Sequence, residues 1–135
     1  MSSIWFIDQS TGLRCCIAPG TYPEYLCGYV RIPYSKLRKR LMARSKVTCK
    51  GSFRHIRLYR ADTPEILRLD VHGGVNFFGK IYKYPYNRPV RGLWIGFECG
   101  DIEDYKNPKS LKYVKGEVVK LAAQIHQLLN KEKHK

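Results

Sequence analysis

The sequence predicts an α+β fold: a single domain in which a twisted antiparallel sheet carries one long carboxy-terminal helix. Three observations predict it. Short β-type runs bounded by turn residues dominate the first hundred positions, and one amphipathic stretch of helical period closes the chain. The 135 residues hold no internal repeat or low-complexity linker, which suits one domain burying roughly two-thirds of its unfolded surface. An apolar content of 44% belongs to a globular chain rather than a disordered one.

In chain order, Ser3–Ile7 and Leu13–Ala18 read as strands joined by a turn at Ser10-Thr11-Gly12, and Pro19-Gly20 stops the second. Leu26–Ile32 is a third strand, ended by Pro33. Ser35 is placed to cap a basic helix over Lys36–Arg44, whose Leu37 and Leu41 fall four apart on one face. Lys46–Lys50 and Phe53–Arg60 form a hairpin around Gly51. Ile66–Val71 alternates Leu67, Leu69 and Val71 with Arg68, Asp70 and His72, the pattern of a half-buried strand. Val75–Tyr82 continues after Gly73-Gly74, and a Pro-rich loop, Tyr84–Gly92, leads into Leu93–Cys99. Ser110 caps the final helix, over 110–130. Its Val114, Val118, Leu121, Ile125 and Leu128 recur at spacings of four and three. That stripe is expected to cover one face of the sheet; a homodimer seam is the alternative use for it.

The formal charge of +14 implies attraction to nucleic acid, acidic membrane surfaces or acidic proteins. Much of it is concentrated. From Arg31 to Arg60 the chain carries seven Arg and four Lys and no Asp or Glu, with Tyr34, Phe53 and Tyr59 interleaved. Arginine suits bidentate phosphate contacts, the aromatic rings offer stacking platforms, and no acid within the block neutralises it locally. The expected contacts are Arg38, Lys39, Arg40, Arg44, Lys46, Lys50, Arg54 and Arg57. The partner is expected to be nucleic acid or a host protein that binds nucleic acid. Zinc-finger, RNP and KH signatures are absent, so no sequence-specific readout is expected. No apolar run approaches ~18 residues, so no membrane span is expected.

The five cysteines form no CxxC pair and read as reduced, mostly buried thiols, with Cys15 and Cys16 on opposite faces of their strand. MSSIWFIDQ lacks the basic start and apolar core of a signal peptide, which fits a cytoplasmic protein.

A second constellation lies in LDVHGGVNFFG and LWIGFECGD. If these strands are neighbours, Asp70, His72, Trp94, Glu98 and Asp101 gather into a possible polar pocket, with His72 oriented by a carboxylate. That arrangement would serve a small nucleotide-binding protein or a metal-dependent hydrolase using His72, Asp70 and Glu98. HxH, HExxH and GxSxG spacings are absent, and no cofactor or metal is assigned. A structural histidine bonded to Asp70 or to backbone is the plainer reading. Cys99 is a poor nucleophile, since Glu98 and Asp101 oppose its ionisation.

Four stretches in fixed order, Gly28–Pro33, His72–Gly79, Trp94–Asp101 and Tyr113–Gln124, cover about a quarter of the chain. Together they resemble a family of small phage- and prophage-encoded proteins with GYV…P, HGG–aromatic–G, W-x-G-F-[DE]-C and YV…E…LA.Q motifs. Gly100-Asp101 stands here where those proteins often place a histidine before the aspartate. Their link between the first two motifs is shorter and less basic, so 34–60 reads as a basic excursion of this member. The resemblance implies a non-enzymatic phage-type accessory protein acting in the host cytoplasm, of the anti-defence (anti-CRISPR-like) kind.

Overall fold

A computed structural model of the protein describes residues 3–20, 25–44, 47–50, 57–59, 63–83, 88–100 and 107–133. In order, these hold β1 (Ile4–Ile7), β2 (Arg14–Pro19), β3 (Leu26–Ile32), α1 (Lys36–Arg44), β4 (Val47–Lys50), β5 (Arg57–Tyr59) and α2 (Pro64–Leu67). They continue with β6 (Phe77–Gly79), β7 (Tyr82–Lys83), β8 (Arg88–Pro89), β9 (Leu93–Glu98) and α3 (Leu111–Lys133). Seven strands form one sheet in the order β1-β2-β3-β9-β6-β5-β4, and β7 pairs with β8 apart from it. Every pairing among the described strands is antiparallel.

The α+β architecture is therefore as the sequence predicts, and the centre of the sheet explains why. β3 and β9 pair from Cys27↔Glu98 to Ile32↔Leu93, so alternation sorts their side chains onto two faces. Val30, Ile32, Leu93, Ile95 and Phe97 face α3 and join the main core. Against them α3 sets Val114, Val118, Leu121, Ala122 and Ile125, all fully buried. Burying each of the larger ones contributes roughly 1.5–3 kcal/mol. The core thus takes up this stripe, leaving none of the five for a seam with a second copy. Gly28 lets the helix come this close, because a Cβ there would overlap Val118 Cγ2. The adjacent thiols divide as expected: Cys15 belongs to the main core and Cys16 to a smaller cluster with Ile81 and Trp94 on the opposite face.

Helix α1 begins where the sequence places it, with Arg38 N donating to Ser35 Oγ at 3.1 Å and Leu37 and Leu41 buried beneath. The β4–β5 hairpin is present, and it joins the sheet through the β5–β6 pairing Leu58↔Gly79. The described strands of the basic excursion, β4 and β5, thereby form the sheet's far edge.

One element differs. Ile66–Val71 is not a strand: Pro64–Leu67 forms a short helix capped by Thr63, whose hydroxyl accepts from Ile66 N at 3.4 Å. Thr63-Pro64-Glu65 is an N-cap, a proline at the first helical position and an acid in the first turn, and this local chemistry outweighs the alternation. Leu67 consequently points to solvent, 67% exposed, while Leu69 and Val71 remain buried. The backbone that follows bonds to α3 side chains instead of a neighbouring strand. Asp70 N donates to Gln124 Oε1 at 2.7 Å, Gln124 Nε2 donates back to Asp70 O at 2.9 Å, and His72 N donates to Glu117 Oε1 at 2.9 Å. Val75–Tyr82 is likewise shorter than expected, with β6 covering only Phe77–Gly79.

Candidate nucleic-acid interface

The face of the sheet turned away from α3 carries the second cluster, built on Trp94 and edged by Trp5. The two indoles meet edge to face, 5.8 Å between centroids and 75° between planes. Beside them runs a groove of about 490 Å³ whose lining includes Trp5, Ile7, Arg14, Arg31, Arg91 and Trp94.

Strand register assembles its charge. Arg31 on β3 pairs with Trp94 on β9. The β2–β3 pairing places Cys15 opposite Val30, so the next residue outward, Arg14, lies opposite Arg31. Arg91 enters from the turn before β9, and Arg38 from the first turn of α1. Arg31 feels this crowding: burial first, then the guanidiniums of Arg14, Arg91 and Arg38, hold its pKa below the usual guanidinium value. Like charges set opposite each other across strands cost stability. Among the described residues none of these four arginines has an acidic partner within ion-pair distance.

Three buried donors find no acceptor among the described residues: Arg31 Nε, Arg38 Nη1 and Trp94 Nε1. Gly92 makes room for the first of them. A Cβ there would lie 2.5 Å from Arg31 Nε, and the backbone at φ 111° favours glycine in any case. The Arg38 guanidinium stacks on Tyr34, 4.0 Å from the ring centroid, and Tyr34 is 73% exposed. Hydrogen bonding and charge from Arg38, then the charges of Arg91 and Arg31, pull the Tyr34 phenol below its ordinary pKa.

The eight expected contacts separate on inspection. Arg38 belongs to this cluster, and Lys39 is exposed on α1. Arg40 is committed elsewhere: its Nε meets Glu65 Oε2 at 3.0 Å and its Nη1 meets Glu132 Oε1 at 3.2 Å, tying α1 to α2 and α3. Lys50 and Arg57 are backbone partners in the β4–β5 register. Arg44 ends α1, and Lys46 and Arg54 lie outside the described residues. Arg14 and Arg91 are the residues that sequence reasoning missed. Both fall outside the basic block, and only the register of β2, β3 and β9 brings them to Arg31.

The four expected pocket residues that are described do not gather as a pocket. Trp94 and Glu98 alternate with Leu93, Ile95 and Phe97 and so share the face away from α3, whereas Asp70 and His72 are fastened to α3 on the other side. The expected common face of Asp70 and His72 depended on a strand that is a helix and a turn. His72 Nδ1 lies 3.0 Å from Tyr113 Oη, with the two rings edge to face. Lys120 completes this polar seam, 3.1 Å from Glu117 and 3.9 Å from Asp70. Asp101 lies outside the described residues. Among the described residues no three His, Cys, Asp or Glu side chains cluster as metal ligands, and no helix is long and apolar enough to cross a membrane.

Comparison with family models, curated proteins and solved structures finds no match.

Proposed function

We propose that the protein is a non-enzymatic nucleic-acid-binding accessory protein whose contact surface runs from Arg14 and Arg91 across Arg31 to Arg38 and Lys39. One observation carries this reading: four guanidiniums are held together with no carboxylate paired to them among the described residues, and buried donors among them find no acceptor there. Such an arrangement costs stability in the isolated protein, and a polyanion relieves it. Guanidiniums engage phosphate oxygens in bidentate fashion, and exposed Tyr34 and Trp5 add aromatic surface of a kind that bases stack on. In the phage setting implied by the motif resemblance, the protein would act in the host cytoplasm by occupying the nucleic acid that a defence complex handles.

The test is fluorescence anisotropy with a labelled 20-nucleotide strand at low and near-physiological salt. With six or more phosphate contacts, affinity is expected to fall roughly 10³-fold or more between 50 and 200 mM salt. Reversing Arg14, Lys39 and Arg91 to Glu together should abolish binding while circular dichroism stays unchanged. Absence of binding at low salt, or equal binding by the folded triple variant, would refute the reading.

A further inference from the structure

We propose that the groove between Trp5 and Arg91 takes one nucleotide of an unpaired strand, its phosphate among Arg14, Arg31 and Arg91 and its base against Trp5. This rests on the nucleic-acid reading above and names the form of nucleic acid that the surface selects.

Two buried donors on residues that line the groove decide the chemistry. Trp94 is 2% exposed, and its indole Nε1–H, like Arg31 Nε–H, is buried with no acceptor among the described residues. Both groups donate only, so the complementary ligand is an acceptor. Two buried donors within a ring of guanidiniums call for an oxyanion with several lone pairs. A phosphate presents these in a tetrahedral spread that donors arriving from different strands can share. A groove of about 490 Å³ falls within the size range of small-ligand sites, so it has room for more than the phosphate.

The rim decides between single strand and duplex. Trp5 is 38% exposed on β1, at the edge of the sheet, beside the guanidiniums. A base stacks on an indole only when its own face is free, which it is in an unpaired strand and is not inside a duplex. A phosphate reaching the buried Trp94 donor must also leave the regular rail of a helix. Both requirements favour a flexible strand that turns one nucleotide inward.

The protein's two tryptophans both line this groove, so intrinsic fluorescence reports the groove and not the exposed cations of α1. The experiment titrates the full chain with a labelled eight-nucleotide oligothymidylate and with a duplex of equal length, reading anisotropy and tryptophan emission together. Expected are quenching of emission by the single strand, at least tenfold preference for it over the duplex, and about tenfold weaker binding by Trp5→Leu. Arg14→Ala should weaken single-strand binding by a similar factor, and both variants keep their circular dichroism spectra. Anisotropy binding with unchanged emission, and with Trp5→Leu equal to the parent, would overturn the groove while leaving the nucleic-acid reading intact. Equal affinity for duplex would also overturn it. No anisotropy change at all would remove both.

Discussion

Burial sets the chemistry of individual side chains in this protein, and the thiols show it most plainly. Cys15 and Cys16 are pushed up to about 12 and Cys27 to about 11, burial being the largest cause in each case. Coulombic repulsion from Asp8 adds to it at Cys15, and from Glu98 at Cys27, while Cys15 Sγ donates weakly to Leu13 O at 3.5 Å. At pH 8 these thiols should resist a thiol reagent in the native protein and react fully once urea unfolds it, a contrast that a colorimetric titration reads directly. Their folded pKa values exceed the unfolded ones, so between the two the native state holds more protons. Stability should therefore be level below about pH 9 and decline toward pH 12, by up to about 1.4 kcal/mol per pH unit for each thiol. Urea midpoints measured from pH 8 to 11 check this; midpoints that rise with pH would contradict it.

At the scale of elements, the segment around His72 is held by the helix it crosses. Glu117→Ala leaves His72 N, a partly buried donor, without its acceptor and should cost roughly 1–3 kcal/mol. Glu117→Gln keeps an acceptor and should cost less, a ranking that chemical denaturation resolves. The same segment shows how far the sequence could be read. Leu26–Ile32 and Lys36–Arg44 match β3 and α1 to the residue, because Pro33 and the Ser35 cap are local signals and local chemistry decides them. The α3 stripe was legible for the same reason. The α2 helix was not: Leu67, Leu69 and Val71 satisfy the alternation, and only the Thr63-Pro64 start betrays the helix. The site was harder. Arg38 is visible inside the basic block, but Arg40 is neutralised by Glu65 and Glu132, 25 and 92 positions away. Arg14 and Arg91 reach Arg31 through strand register, which the hydrophobic pattern leaves open.

Considered whole, the molecule gives its two sheet faces to different tasks. One is closed by α3 and makes the core; the other keeps an indole and a set of guanidiniums near the surface. The first task joins segments that are distant along the chain. His72 meets Tyr113 and Glu117, Asp70 meets Gln124, and Gly28 admits Val118, so segments far apart in the sequence lock to one another. The polar contacts among them span 41 to 54 residues. They are absent from the nascent chain until the helix that supplies them has been made. A chain ending at residue 112 lacks every buried α3 side chain and should show no cooperative thermal transition by circular dichroism; a two-state melt near that of the full chain would be inconsistent with this dependence. Non-local contacts of this kind also slow folding, since the intervening loop must close before they reward it. On the ribosome, the sheet emerges with its apolar face bare and must wait for the last element of the fold. The hairpin and arginines meanwhile carry a positive charge that keeps like chains apart, so the cations proposed to contact a nucleic acid would also guard the protein during its own synthesis.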